Sequence, residues 1–202
     1  MKKVEAKVND FLNNYPNIKK IIKRLYQRVM YFLSNKKKFE GNLIRVTPQD
    51  EYEYFYGYYD TSPWDANDRY LLALRVKSTT KSVSPSEPAE IILIVTIKNN
   101  ALRVLGKTYS WNNQQGCMLQ WLGPNFDKEV IYNDFREGHH CSVIKNIWTG
   151  QERIIDNPIY AVSSTGKFAL TLDFSRLHRL RPGYGYANLK DQSTGDKLPS
   201  GY

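Results

Sequence analysis

The sequence predicts an all-β domain behind an N-terminal helical arm, and three observations predict it. A strand-and-turn unit occurs twice and begins a third time, aromatic residues are abundant, and the net charge is concentrated at one end. The first unit runs through residues 64–74 and 90–97, turns at Lys98-Asn99-Asn100, and resumes at 102–107. The second occupies residues 118–122, 130–132, 142–147 and 152–155, with turns through Pro124 to Lys128 and at Trp148-Thr149-Gly150. The third opens at residues 159–162, turns at Ser163-Ser164-Thr165-Gly166, continues through 167–173, and shows no last two strands. Four short strands repeated every ~40–50 residues are the signature of a β-propeller blade. Residues 39–202 are therefore expected to form a partial β-propeller of two four-stranded blades and part of a third. An incomplete ring has unpaired edges, so the chain is expected either to be a fragment or to pair with another copy; Leu198-Pro199-Ser200-Gly201-Tyr202 reads as the approach to another strand and favours the fragment.

The elements follow in order. Ile18, Ile21, Ile22, Leu25, Val29, Phe32 and Leu33 recur at helical spacing, with Lys19, Lys20, Lys23, Arg24 and Arg28 between them. This predicts an amphipathic helix of about 16 residues. Pro16 suits its first turn, Asn14 or Tyr15 its cap, and Lys36-Lys37-Lys38 its negative end. A weaker stripe (Val4, Val8, Phe11, Leu12, Tyr15) suggests a shorter helix before it. Residues 39–62 lead in with a strand-like stretch at 43–46 and the aromatic run Tyr52, Tyr54, Phe55, Tyr56, Tyr58 and Tyr59. Residues 78–88, rich in Ser and Thr with Pro85 and Pro88, read as a long loop between strands.

Charge separates arm from domain. The chain holds 29 Lys and Arg against 20 Asp and Glu, a net charge of +9. Residues 1–38 contain 11 of the basic and two of the acidic residues, leaving 18 of each for residues 39–202. Basicity thus belongs to the arm (residues 1–38), which marks a segment that meets an anionic surface. Three readings of it are open. The apolar stripe packs on protein while the charges are solvated. Alternatively, residues 17–38 lie on an anionic membrane, contacted through Lys19, Lys20, Lys23, Arg24, Leu25 and Arg28. Nucleic acid is disfavoured as a partner, because the domain carries no basic face.

Cys117 and Cys141 lack metal spacing and read as buried reduced thiols. The charges after Met1-Lys2-Lys3 exclude a signal-peptide core, and no apolar run spans a bilayer. The expected location is cytoplasmic, or membrane-peripheral if the arm meets lipid.

Ligand sites in such folds gather a few polar groups beside an aromatic platform. The candidates are Asp60, Trp64, Asp65, Gln115, Asn133, Asp134, Arg176, His178, Arg181, Tyr184 and Tyr186, with Tyr59 and Trp121 as further aromatics. Asp60 and Asp65 are acid–base candidates only if they face each other, and turn caps otherwise. Of Gln114 and Gln115, one can face a central channel, and Gln115 is preferred. Asn133-Asp134 is expected at a strand end, serving a turn or binding sugar hydroxyls. His139 and His140 point to opposite sides of an extended strand, which argues against a metal site. Arg176, Arg179 and Arg181 with His178, Tyr184 and Tyr186 suit an acidic sugar, since Arg forks grip carboxylates. The bland alternative is a loop whose arginines brace carbonyls. Phosphate-cradling glycine loops, nucleophile elbows and zinc-protease motifs are absent from the sequence.

The strings 58–66 (YYDTSPWDA), 111–116 (WNNQQG), 119–122 (LQWL), 131–134 (IYND) and 176–186 (RLHRLRPGYGY) together resemble a group of bacterial β-propeller proteins of unassigned activity, associated with surface-polysaccharide genes. These are distantly similar to the oligogalacturonate lyase and Tol-type propellers. The resemblance covers residues 40–202 and implies the N-terminal portion of a ring about twice this long. In the lyases the metal-binding residues lie mostly in later blades. No cofactor is therefore expected from this portion, and a divalent metal would belong to other blades. The resemblance implies a carbohydrate-associated protein that binds or acts on an acidic polysaccharide or its precursor and is inactive as this portion alone. The competing reading is a non-catalytic scaffold that docks protein partners in a membrane-peripheral assembly.

Overall fold

In the computed structural model, residues 15–34, 41–57 and 60–196 are described. The early stripe from Val4 to Leu12, the Lys36-Lys37-Lys38 run, Tyr58 and Tyr59 lie outside the described residues. The chain divides into two compact units, residues 1–44 and 45–202.

The first unit contributes helix α1, Pro16–Leu33, of 18 residues. Pro16 takes its first position, where a missing N–H removes no helical bond. Tyr15 stands at the N-cap without a capping side chain. At the other end the Ser34 amide closes on the Met30 carbonyl at 2.8 Å.

The second unit is mostly β. Strands β1 (Glu53–Phe55), β2 (Tyr70–Val76), β3 (Ala89–Val95) and β4 (Ala101–Thr108) form one four-stranded sheet in the order β1-β2-β3-β4. Strands β5 (Gln120–Trp121), β6 (Glu129–Arg136), β7 (His139–Asn146) and β8 (Glu152–Ile155) repeat that order in a second sheet. Strands β9 (Ala161–Val162) and β10 (Ala169–Leu170) make a two-stranded hairpin, and α2 (Phe174–Leu180) follows. Every strand pairing among the described residues is antiparallel. The hairpin turn between β6 and β7 is Glu137-Gly138, with φ of 50° and 83°. Two positive φ values in a two-residue loop match the right-handed twist of the flanking strands.

Side-chain alternation distributes the core. Leu72, Leu74 and Val76 of β2 and Ile91 and Leu93 of β3 share one buried cluster with Val130 and Tyr132 of β6 and Val143 of β7. That cluster joins the two four-stranded sheets. Ile131 and Ile144 point the other way and join Ile159, Phe174 and Tyr186. A strand with apolar residues on both faces belongs between two layers, and the second sheet occupies that position. It lies between the first sheet and the segment containing β9, β10 and α2.

Four expectations need correction. The first strand of the first sheet is β1, drawn from the aromatic run that the sequence reading placed before the repeat. Trp64 forms only an isolated bridge with Leu71. Residues 43–46 are not a strand, because no strand among the described residues pairs with them. Asn133 and Asp134 lie in the middle of β6, paired with Ser142 and Cys141, and not at its end. Residues 174–180 are helical: Asp173 accepts from the Arg176 amide at 2.9 Å and caps α2. Cys141 lies in β7 and Cys117 in a turn before β5; both thiols are free and buried.

Candidate functional site

The larger cleft of the β unit, about 590 Å³, is built from three segments far apart in sequence. Thr79, Thr80, Lys81, Ser82 and Val83 of the β2–β3 loop form one wall. Trp111 to Gln114 form the second, and His178, Arg179, Pro182, Gly183, Gly185 and Ala187 form the third.

Asparagine side chains hold these walls together. Asn112 accepts from the amides of Gln114 and Gln115 at 2.9 and 2.8 Å, which shapes its own turn. Its Nδ2 donates to the Gly185 carbonyl at 3.1 Å. Asn113 Nδ2 donates to the Lys81 carbonyl at 2.7 Å, and Asn188 Nδ2 to the Pro85 carbonyl at 3.2 Å. Trp111 donates from its indole to the Glu87 carbonyl at 2.7 Å. Gly185, at φ +68°, passes against the first turn of α2; a Cβ there would run into the Phe174 carbonyl and the His178 amide. A glycine is required where backbone crosses backbone this closely.

Lys81, His178 and Arg179 line the cleft, and none of its lining residues is Asp or Glu. Arg179 donates from Nε to Asp191 at 2.5 Å, a bond that does not consume the terminal nitrogens of its fork. Asp191 also accepts from Ser193 Oγ and the Ser193 amide, at 2.6 and 2.8 Å. These hydroxyl and amide donors, with Arg179, hold its carboxyl down to about 2. Asn113 Oδ1 is buried without a hydrogen-bond partner. Such an acceptor is satisfied by a water or by a donor from a bound molecule.

A second cleft, about 480 Å³, lies where the β1–β2 connection, β5 and the β9–β10 turn meet. Trp64, Trp121 and Phe126 supply aromatic surface, with Thr61, Ser62 and Ser164 beside them. Trp64 is 37% exposed, whereas Trp121 is buried and donates to the Pro63 carbonyl at 2.9 Å.

The candidates read from sequence divide accordingly. His178 lines the larger cleft and Trp64 the smaller. Asp65 borders the smaller cleft, but its Oδ1 accepts from the Arg69 and Tyr70 amides at 2.7 Å each. It is a turn cap, the alternative to acid–base work that the sequence offered for it; Asp60 is exposed in a turn. Of the glutamine pair, Gln114 lines the cleft, and Gln115 is buried with Oε1 unpartnered. Asn133 is fully buried and spends all its side-chain bonds internally. Its Nδ2 donates to the Ile159 carbonyl and Tyr186 hydroxyl, at 2.8 and 2.9 Å, and its Oδ1 accepts from the Ile159 amide at 2.7 Å. Asp134 accepts from the Tyr109 and Phe135 amides and from Arg136 Nε. Tyr186 is buried and stacks on Phe174 with ring centroids 4.4 Å apart, and burial raises its phenol well above the ordinary range. Arg176 braces the tail through Ser193 and Asp196. Arg181 stacks over Tyr184 at 3.9 Å, outside both clefts' linings. Asn133, Asp134, Arg176 and Tyr186 are thus framework groups.

Sequence reasoning missed Lys81, Asn113, Gln114 and the cleft role of Arg179. The 78–88 loop carried only turn residues as a signal, and nothing in its composition pairs it with residues 178–187.

Among the described residues a hydroxyl–imidazole contact is present. Ser110 Oγ and His140 Nδ1 share a hydrogen bond of 2.8 Å. Both residues are buried and line neither cleft. Among the described residues no group of three or more His, Cys, Asp or Glu is placed to hold a metal. Family models, curated proteins and solved structures offer no match to this chain.

Proposed function

We propose that the β unit is a binding module for an acidic carbohydrate, held in the 590 Å³ cleft. The observation that carries the reading is the lining itself: Lys81, His178 and Arg179 with Asn113, Gln114 and three hydroxyl side chains, and no carboxylate. Cationic forks and points receive the acid group of the sugar, and amides and hydroxyls receive its hydroxyls. The orphaned Asn113 Oδ1 accepts from one of them. Binding, and not turnover, is the role supported by these residues. No pair of carboxylates lines the cleft, and the buried Ser110–His140 contact is not part of its lining.

The arrangement of the sheets is part of the same proposal. Two four-stranded meanders of identical order, each packed through alternate residues on the next, and a hairpin in third place support consecutive blades of a β-propeller. A crystal structure in which the sheets do not fan about one axis would remove that part.

Titration calorimetry of the protein with a uronic-acid oligosaccharide and its neutral counterpart tests the binding. The acidic sugar should bind and the neutral one should be at least about tenfold weaker, as expected for losing a charge-assisted pair. Lys81→Ala and Arg179→Ala should each weaken it by about tenfold, and Arg181→Ala should leave it unchanged. Equal affinity for both sugars, or sensitivity to Arg181 in place of Lys81 and Arg179, would refute the site.

A further inference from the structure

We propose that α1 is an interfacial helix that seats on anionic lipid bilayers. At 100° per residue, Ile18, Ile21, Ile22, Leu25, Val29, Phe32, Leu33 and Tyr26 fall within an arc of about 140°. Lys19, Lys20, Lys23, Arg24 and Arg28 fall within the opposite half. Leu25 is 62% exposed and Phe32 84%. Residues 15–34 contain no Asp or Glu.

That charge pattern decides the partner. A helix built to pack on protein usually carries both signs on its solvent face, for solubility and for pairing along the helix. Here the polar face is of one sign, and the occupant must be anionic as well as apolar. Nucleic acid satisfies the first condition and leaves the stripe uncovered. A bilayer with anionic headgroups satisfies both: acyl chains receive the Ile, Leu and Phe side chains while headgroups meet the lysines and arginines. The helix is about 27 Å long, yet no helix among the described residues is long and apolar enough to cross a membrane. It therefore lies along the surface. Tyr26 sits at the boundary of the two faces, the position where a ring with a polar tip meets the headgroup layer. Tyr31 falls on the basic face.

The test is co-sedimentation of the whole protein with phosphatidylcholine vesicles, with and without phosphatidylserine. The protein should pellet with the anionic vesicles and bind the neutral ones at least about 100-fold more weakly, at about fivefold per basic residue near the surface. Leu25→Glu should weaken binding by at least about tenfold through lost apolar burial. Replacing Lys20, Lys23 and Arg24 together by Gln, which preserves helix propensity, should weaken it by about 100-fold. Lys81→Ala should leave it unchanged, which separates this proposal from the sugar cleft. Failure to pellet with anionic vesicles overturns it, as does equal binding to both compositions. So does a Leu25→Glu protein that still binds, which would indicate a purely electrostatic polyanion contact. Concentration-dependent self-association in the absence of lipid, abolished by Leu25→Glu, would overturn it in favour of a second copy covering the stripe.

Discussion

Replacing Asn133 with Ala should destabilise the β unit more than any surface change, and the structure gives the size of the effect. The side chain is fully buried and links β6 to the segment that enters β9 and to Tyr186. Truncation leaves the Ile159 amide, the Ile159 carbonyl and the Tyr186 hydroxyl without partners. All three sit in the apolar cluster of Ile131, Ile159 and Phe174. A stranded buried group costs about 1–3 kcal/mol, and water entering the small void recovers part of it. The expected loss is about 4 kcal/mol. With a urea m-value of about 2 kcal/mol/M, the midpoint falls by about 2 M. Urea titrations followed by tryptophan fluorescence and by far-UV circular dichroism measure it, with exposed Asp60→Ala as the control expected within about 0.5 kcal/mol. A loss below about 1 kcal/mol for Asn133→Ala would mean that the bracket is not what holds the third segment to the second sheet.

Further expectations follow from buried groups. Burial lowers the His140 imidazole to about 4, with Asp173 opposing the shift and His139 adding to it. The unfolded histidine titrates near 6.5, so the unfolded chain takes up the proton first as pH falls. The contribution is complete above pH 6.5 and is lost progressively down to about pH 4, about 3 kcal/mol in all. Denaturation midpoints between pH 7 and 4 should show that slope, and His140→Phe should flatten it; an unchanged slope would refute the assignment. Gly185→Ala should cost about 3 kcal/mol or more, through clash and a left-handed φ, and should abolish sugar binding; a stable variant that still binds would show that the crossing yields. Cys117 is fully buried and its thiol is raised by desolvation. Ellman's reagent at pH 8 should therefore label it only when urea unfolds the protein, and rapid native labelling would contradict its burial.

Local physics made part of this protein legible in its sequence. The 3.6-residue stripe of α1 and the separation of its charges follow from residue spacing alone. So do most strands and turns of the two four-stranded sheets, because β-branched and aromatic runs between Asn, Gly and Pro turns specify extended chain without help from distant residues. What spacing does not encode is which polar group finds a buried partner. Asn133-Asp134 looks from sequence like a turn or a sugar contact. Only the arrival of Ile159 and Tyr186, 26 and 53 residues downstream, makes Asn133 a structural bracket. Asp65 is likewise a cap because its own turn folds back onto it. The short helix α2 escaped because its apolar face is defined by what it packs on, and β1 because three residues carry too little alternation to show. The cleft was out of reach for the same reason. Its walls come from residues 79–83, 111–114 and 178–187, and the asparagine bonds that join them are contacts between loops with no periodicity of their own. Composition put the charge on the arm; tertiary structure alone decided which cations of the β unit would share one cavity.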